Sequence, residues 1–262
     1  MTTATASPEL ATAVGRSACY EFLALGFAFP TDRGEARITE HLAPVLAGLE
    51  SGDSELDRLL ALALEARRLP LAQLRELHGE LFTHIEPMDH PPYESAFVGS
   101  EIFRQTEVMA DVAGFYRAHG LKVGGRERER PDHIVTELEF MAFMATKEAY
   151  ALQHLDEASV EECRRTQDHF LADHLGCWAP GFARRVAVMA QDAVFRAHAR
   201  ALEAWIMADL RACDLTPVEV LEDPSPQLPP DDDSCGAGEM CGVEVTPAGG
   251  DAGTPVELGR SR

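Results

Sequence analysis

Leu138-Glu139-Phe140-Met141-Ala142-Phe143-Met144-Ala145 lies in the middle of a stretch running from Asp132 to Leu155. It is apolar almost all round a helical wheel, with Glu139 its only charge. A helix hydrophobic on every side must be surrounded by other helices, so this stretch is expected at the centre of a bundle. Working outward, amphipathic helices are expected over Pro8–Phe29 (stopped by Pro30), Arg33–Leu49, Ser54–Arg68 and Leu71–Phe82. Another is expected from an N-cap at Ser100 to Gly120, then Asp132–Leu155 with Pro131 in its first turn, then Glu157–Leu175 and Ala183–Ala212. Gly176 to Gly181 reads as the break between the last two. Alternating Val, Ile and Thr runs are scarce, so the sequence predicts an all-α fold with little or no strand.

Residues 1–8 read as a flexible N-terminus and 9–213 as one helical domain. Residues 214–262 are rich in Pro, Gly, Asp and Glu and read as a disordered acidic tail. The 262-residue chain is 45% hydrophobic, enough for one sizeable core. Its formal net charge of -21 disfavours phosphate backbones and anionic membrane surfaces, and favours a basic partner. The best apolar run, Cys19 to Phe29, is short and contains Glu21, whereas a membrane span needs roughly 20 apolar residues. Met1–Ala13 lacks the Lys or Arg of a secretory signal, and the six cysteines are scattered, so a cytoplasmic protein with free thiols is expected.

Enzyme motifs are missing: no phosphate loop, no His-Glu-x-x-His, no Gly-x-Ser-x-Gly, and no Glu followed three residues later by His, as a di-iron bundle requires. The sequence therefore predicts no catalytic residue, no metal ligand and no cofactor. The rival is a metal-dependent helical enzyme built on Cys163, His169, Asp173, His174 and Cys177. Against it, His169 and His174 are five apart and diverge around a helix. Cys235 and Cys241 in the tail supply two soft ligands where a closed zinc site needs four.

Two irregular segments are more suggestive. His84 to Gly99 holds three prolines and no helical period, and Leu121 to Arg130 is glycine-containing and charged. They place Pro91-Pro92-Tyr93-Glu94-Ser95 and Arg130-Pro131-Asp132-His133 at helix junctions, where peptides bind readily. The plain alternative makes Asp132 a first-turn carboxylate offsetting the helix dipole, worth under about 1 kcal/mol at a surface. It makes His133 a capping or surface histidine, with Tyr93 and Glu94 merely pinning the loop.

In order and spacing, Glu80-Leu-Phe82, Pro91-Pro-Tyr-Glu-Ser95, Phe115-Tyr-Arg-Ala-His-Gly-Leu121, Pro131-Asp-His-Ile-Val-Thr-Glu-Leu-Glu-Phe-Met141 and His174-Leu-Gly-Cys-Trp178 resemble the TorD/DmsD/NarJ chaperone family. The likeness runs from about Ser17 to Asp209. The resemblance implies an all-helical, non-enzymatic chaperone dedicated to molybdoenzymes of the DMSO reductase family. Such a chaperone binds the N-terminal leader of the immature catalytic subunit, often a twin-arginine signal, until molybdenum cofactor is inserted.

By the same resemblance the peptide-binding residues are Pro131, Asp132 and His133, with Tyr93, Glu94 and Ser95 contributing from the neighbouring loop. Partners are the immature subunit and molybdenum cofactor delivery proteins, without nucleic acid or stable membrane insertion, the chaperone being monomer or dimer. The chemistry agrees, because carboxylates grip guanidinium groups by forked hydrogen bonds and an apolar groove takes the greasy part of a leader. One departure is that Arg126, Arg128 and Arg130 precede Pro131, where family members often carry an acidic residue.

Overall fold

In the computed structural model, residues 7–49, 51–82, 90–123, 130–224 and 256–258 are described. The flexible start and disordered acidic tail expected from the sequence therefore lie largely outside these residues, as do Arg126, Arg128, Cys235 and Cys241. The described part is a helical bundle: α1 (Pro8–Phe27), α2 (Asp32–Arg37), α3 (Ala43–Ala47), α4 (Ser54–Ala66), α5 (Leu71–Phe82), α6 (Ile102–Ala118), α7 (Ile134–Gln153), α8 (Glu157–Phe170), α9 (Gly176–Met189) and α10 (Ala193–Ala212). Two three-residue strands, β1 (Leu121–Val123) and β2 (Val256–Leu258), pair in parallel, with Leu121 opposite Val256.

α7 lies at the centre, as its all-round apolar sequence requires. Leu138, Phe140, Met141, Met144 and Ala145 are fully buried, and α1 and α8 pack along it. α10 packs against α9 and α4. Phe140 sits within a cluster of rings from Phe115, Tyr116 and Phe170. α1 approaches α10 closely at Gly26, where a Cβ would fall 1.5 Å from the His198 ring, so only glycine fits. His198 Nε2 meets the Leu23 carbonyl at 3.2 Å, and burial pushes its pKa down to about 3, which keeps the ring neutral.

Four local expectations are corrected. Gly176–Gly181 does not end a helix. A π turn over Leu171–Leu175 leads directly into α9, and both glycines serve close approach instead. A Cβ on Gly176 would lie 2.3 Å from the Leu171 carbonyl oxygen, and one on Gly181 would lie 2.4 Å from that of Leu221. The real break falls between Met189 and Ala193, where the Asp192 side chain accepts from Phe195 N at 2.8 Å and starts α10.

Ser100 is not the cap of α6; Glu101 occupies that position and makes no side-chain capping bond. Nor is Asp132 in the first turn of α7, which begins at Ile134 with His133 as its N-cap. Finally, the chain does not leave the domain after α10. Val218 N bonds to Ala172 O at 3.0 Å and Leu221 N to Cys177 O at 2.9 Å, so residues 215–223 form a strap across the π turn and α9. The strap was hidden because its glutamates and proline read as tail composition, although Glu219, Glu222 and Asp223 pair with Arg104, Arg184 and Arg185, and Leu215 and Leu221 pack against the core.

Candidate functional site

The six residues singled out in the sequence meet at one junction. An isolated antiparallel bridge pairs Tyr93 with His133, with Glu94 N donating to Asp132 O and Ile134 N to Pro92 O, both at 2.9 Å. Prolines on either side hold both segments extended, which is what a bridge needs. The Tyr93 and His133 rings meet edge to face at 5.2 Å. His133 Nδ1 accepts from Val135 N at 3.2 Å, and burial pulls its pKa down to about 4. Tyr116 donates its hydroxyl to the Pro131 carbonyl at 2.8 Å.

Asp132 is completely buried, so the reading of it as a surface carboxylate at a helix start is corrected. Its oxygens accept a two-pronged pair of bonds from Arg130 (3.0 and 2.9 Å) and a third from Ser95 N at 3.1 Å. The Arg130 guanidinium also bonds Ser95 Oγ and stacks over the Tyr93 ring, 4.6 Å from its centroid. A carboxylate flanked by an aromatic face and a hydroxyl is thus a guanidinium seat, and in this chain Arg130 fills it.

Glu94 turns its carboxylate the other way, inward. It lies 3.1 and 3.2 Å from His174 Nδ1, beside the fully buried Glu137, whose Oε2 accepts from Trp178 Nε1 at 3.0 Å. Burial, and then the charge of Glu94, hold the Glu137 carboxyl well above the usual carboxylate range. Burial also raises Glu94, against the lowering effect of His174. For His174, burial alone acts downward, but the hydrogen bond and charge of Glu94, with Asp111 and Asp173 behind it, outweigh that and raise its pKa.

Beyond His174 opens a cavity of ≈ 240 Å³ walled by α6, the 94–98 loop, the π turn and the strap. Its carboxylates are Glu94, Glu107, Asp111, Asp173 and Glu219, and its resident cation is Arg104, which pairs with Glu219. Of these, the sequence reading singled out Glu94 for peptide binding and weighed Asp173 and His174 only as metal ligands. Glu107 and Asp111 lie four residues apart on one face of α6, a spacing that by itself marks no site.

The metal-enzyme arrangement is not assembled: among the described residues no three of His, Cys, Asp or Glu come together as metal ligands. His169 is exposed, while His174 and Cys177 are buried. Cys177 donates to Ala172 O, and burial pushes its thiol up to about 11, away from the thiolate a metal needs. No helix among the described residues is long and apolar enough to cross a membrane.

Residues 47–184 match the family described as nitrate reductase delta subunit, and the chain belongs to that family, the one to which the TorD and NarJ proteins belong. It is 35% identical over 101 residues to the selenate reductase assembly chaperone protein of Thauera selenatis, covering 38% of this chain and 50% of that one. Identity is 29% over 125 residues to the chaperone protein TorD of Vibrio cholerae, 47% and 54% of the two chains. To the perchlorate reductase assembly chaperone protein of Dechloromonas aromatica it is 25% over 171 residues, 64% and 75% of the two. The first two matches span about half the length of those relatives.

Proposed function

We propose that this chain is a cytoplasmic, system-specific maturation chaperone. It binds the N-terminal leader of an immature catalytic subunit of a DMSO reductase-family molybdoenzyme and holds it for molybdenum cofactor insertion before export or assembly. The observation that carries this reading is the family membership together with the names of the relatives, which are assembly chaperones for reductases. The junction of Tyr93, Glu94, Ser95, Pro131, Asp132 and His133 suits it physically, because it is built to hold a guanidinium between a carboxylate and an aromatic ring. The net charge of -21 speeds encounter with a basic leader.

Calorimetric titration of the full chain with the leader peptide of the co-encoded catalytic subunit tests the reading. His133→Ala and Tyr93→Ala weaken binding, each by about tenfold, the loss of one good contact of about 1.4 kcal/mol, while the helical signal is unchanged. Wild-type affinity in the double variant removes the junction from the binding site. Failure to retain the immature subunit in co-purification removes the chaperone reading itself.

A further inference from the structure

The 93–95 loop supplies half of the junction and is held on two sides. Facing the junction, Glu94 donates its backbone N–H to Asp132 O and Ser95 donates its own to the Asp132 carboxylate. Facing inward, the Glu94 carboxylate is 2% exposed and lies 3.1 and 3.2 Å from His174 Nδ1. The other ring nitrogen, Nε2, stands in ion-pair range of Asp111, at 3.4 Å. A neutral imidazole carries a proton on one nitrogen only, so between two carboxylates it would set a lone pair against one of them. The geometry is that of an imidazolium.

The elements packed around the ring agree. Asp173 lies on the π turn itself, Glu107 and Asp111 come from α6, Glu219 from the strap, and Glu137 from α7 behind Glu94. Arg104 in the same wall is engaged by Glu219, and Cys177 of α9 is a thiol pushed up to about 11 by burial. Phe115 of α6 and Phe170 of α8 enclose the ring at 5.4 and 5.3 Å. Burial acts to lower the pKa of His174, but Glu94, Asp111 and Asp173 outweigh it and raise the value.

We propose that His174 is a positioning residue for the peptide junction: its imidazolium, clamped between Glu94 and Asp111, fastens the 93–95 loop to the bundle, and loss of the proton loosens the loop and its hold on the client segment. The proposal rests on the chaperone reading and deepens it. His174 is 3% exposed and acts through Glu94, not by touching the client. When the proton leaves, a buried carboxylate faces a neutral ring beside the Glu137 carboxyl, which is costly, so the loop carries Glu94 toward water. Phe97 is buried against Trp178, with ring centroids 5.4 Å apart, and holds the far end of the loop, so the loosening is confined to Tyr93, Glu94 and Ser95. Because the pKa of His174 is raised, the clamp is complete below the ordinary histidine value near 6.5 and is lost as pH rises through the raised one. His133, lowered to about 4, does not titrate in that range.

The test follows the ¹⁵N-labelled full chain by NMR from about pH 6 to 9. The His174 ring nitrogens report its titration, and hydrogen exchange, corrected for its intrinsic rise with pH, reports the Glu94 and Ser95 amides. Calorimetric titration with the leader peptide of the co-encoded catalytic subunit gives the affinity over the same range. Amide protection and affinity are expected to fall together, each about tenfold, at the midpoint of His174. Asp111→Asn removes an exposed carboxylate, lowers the His174 midpoint and draws the other two midpoints down with it. Glu157→Gln, which removes the same charge from an exposed position on α8, moves none of them. His174→Gln keeps a hydrogen bond to Glu94 without a charge and flattens both profiles. Protection or affinity that ignores the His174 midpoint, or equal shifts from Asp111→Asn and Glu157→Gln, overturns the proposal. If the peptide binds at no pH while the amides follow His174, the chaperone reading falls and the fastening of the loop stands. If the peptide binds with a flat profile across the His174 midpoint, the proposal falls and the chaperone reading stands.

Discussion

Asp132 carries two bonds from Arg130 and one from the backbone of Ser95 while excluded from solvent, so its substitution reaches beyond ligand contact. Removing one partner of a buried pair leaves the other uncompensated, which costs about 3–5 kcal/mol when both are fully buried. Because Arg130 is 43% exposed, Arg130→Ala is expected to cost less, about 2 kcal/mol in urea unfolding. Arg130→Lys recovers only part of that, since an ammonium cannot make the forked pair. An unchanged unfolding midpoint for Arg130→Ala means that water replaces the guanidinium without penalty.

The same variant has a second readout. If Arg130 occupies a seat that a leader arginine also uses, Arg130→Ala raises leader affinity even as it lowers stability, and a loss of both separates the two roles. Such opposed effects were not legible in the sequence, where Asp132 read as a peptide-binding residue or, in the plain alternative, a first-turn carboxylate, and Arg130 only as a departure from the family's pattern.

At the scale of elements, close approach explains glycines that composition cannot. Gly26 lies against His198 with no room for a methyl group, so Gly26→Ala forces α1 and α10 apart. Overpacking of this kind costs about 1–3 kcal/mol or more. Adding His198→Ala opens the space, so a double-mutant cycle in chemical denaturation is expected to show strong positive coupling, and additive losses would contradict the contact. Asp192→Ala removes the bond that starts α10 and is expected to cost about 1 kcal/mol, marking the α9–α10 boundary as a capping event.

Helices were legible where a stripe of leucines or an all-round apolar run dominates, as in α5 and α7. The α9–α10 break was not, because the glycines at 176 and 181 looked like punctuation. Their cause is the Leu171 and Leu221 backbone, which local periodicity cannot reveal.

For the molecule as a whole, the buried neutral histidines set a pH dependence. His198 has its pKa lowered to about 3 and His133 to about 4, both below the ordinary value near 6.5. The unfolded chain therefore binds protons that the folded chain refuses. The stability these groups contribute is complete above about pH 6.5 and is lost as pH falls toward 4 and 3, at up to about 1.4 kcal/mol per pH unit for each. Urea unfolding between pH 7 and 5 is expected to show this fall, and His198→Gln to flatten it. A fall of equal slope in that variant would place its origin elsewhere. His174 acts in the opposite sense, its raised pKa adding stability on the acid side that is lost as pH rises through it.

The amino-acid order by itself determined the helical class and the central place of α7, which follow from periodicity, and the kinship with reductase assembly chaperones, which follows from the order of its motifs; the grouping of the Tyr93 and His133 segments came only as what that resemblance implies. Only the tertiary structure decided that Asp132 is buried and already holds an arginine, and that Glu94, Asp111, His174 and Glu219 share one cavity. The reason is range. A helical period tells which face of an element is apolar, but which carboxylates come face to face is settled by the crossing of elements more than a hundred residues apart, and by a strap held by backbone hydrogen bonds and by pairs such as Arg104 with Glu219, 115 residues apart.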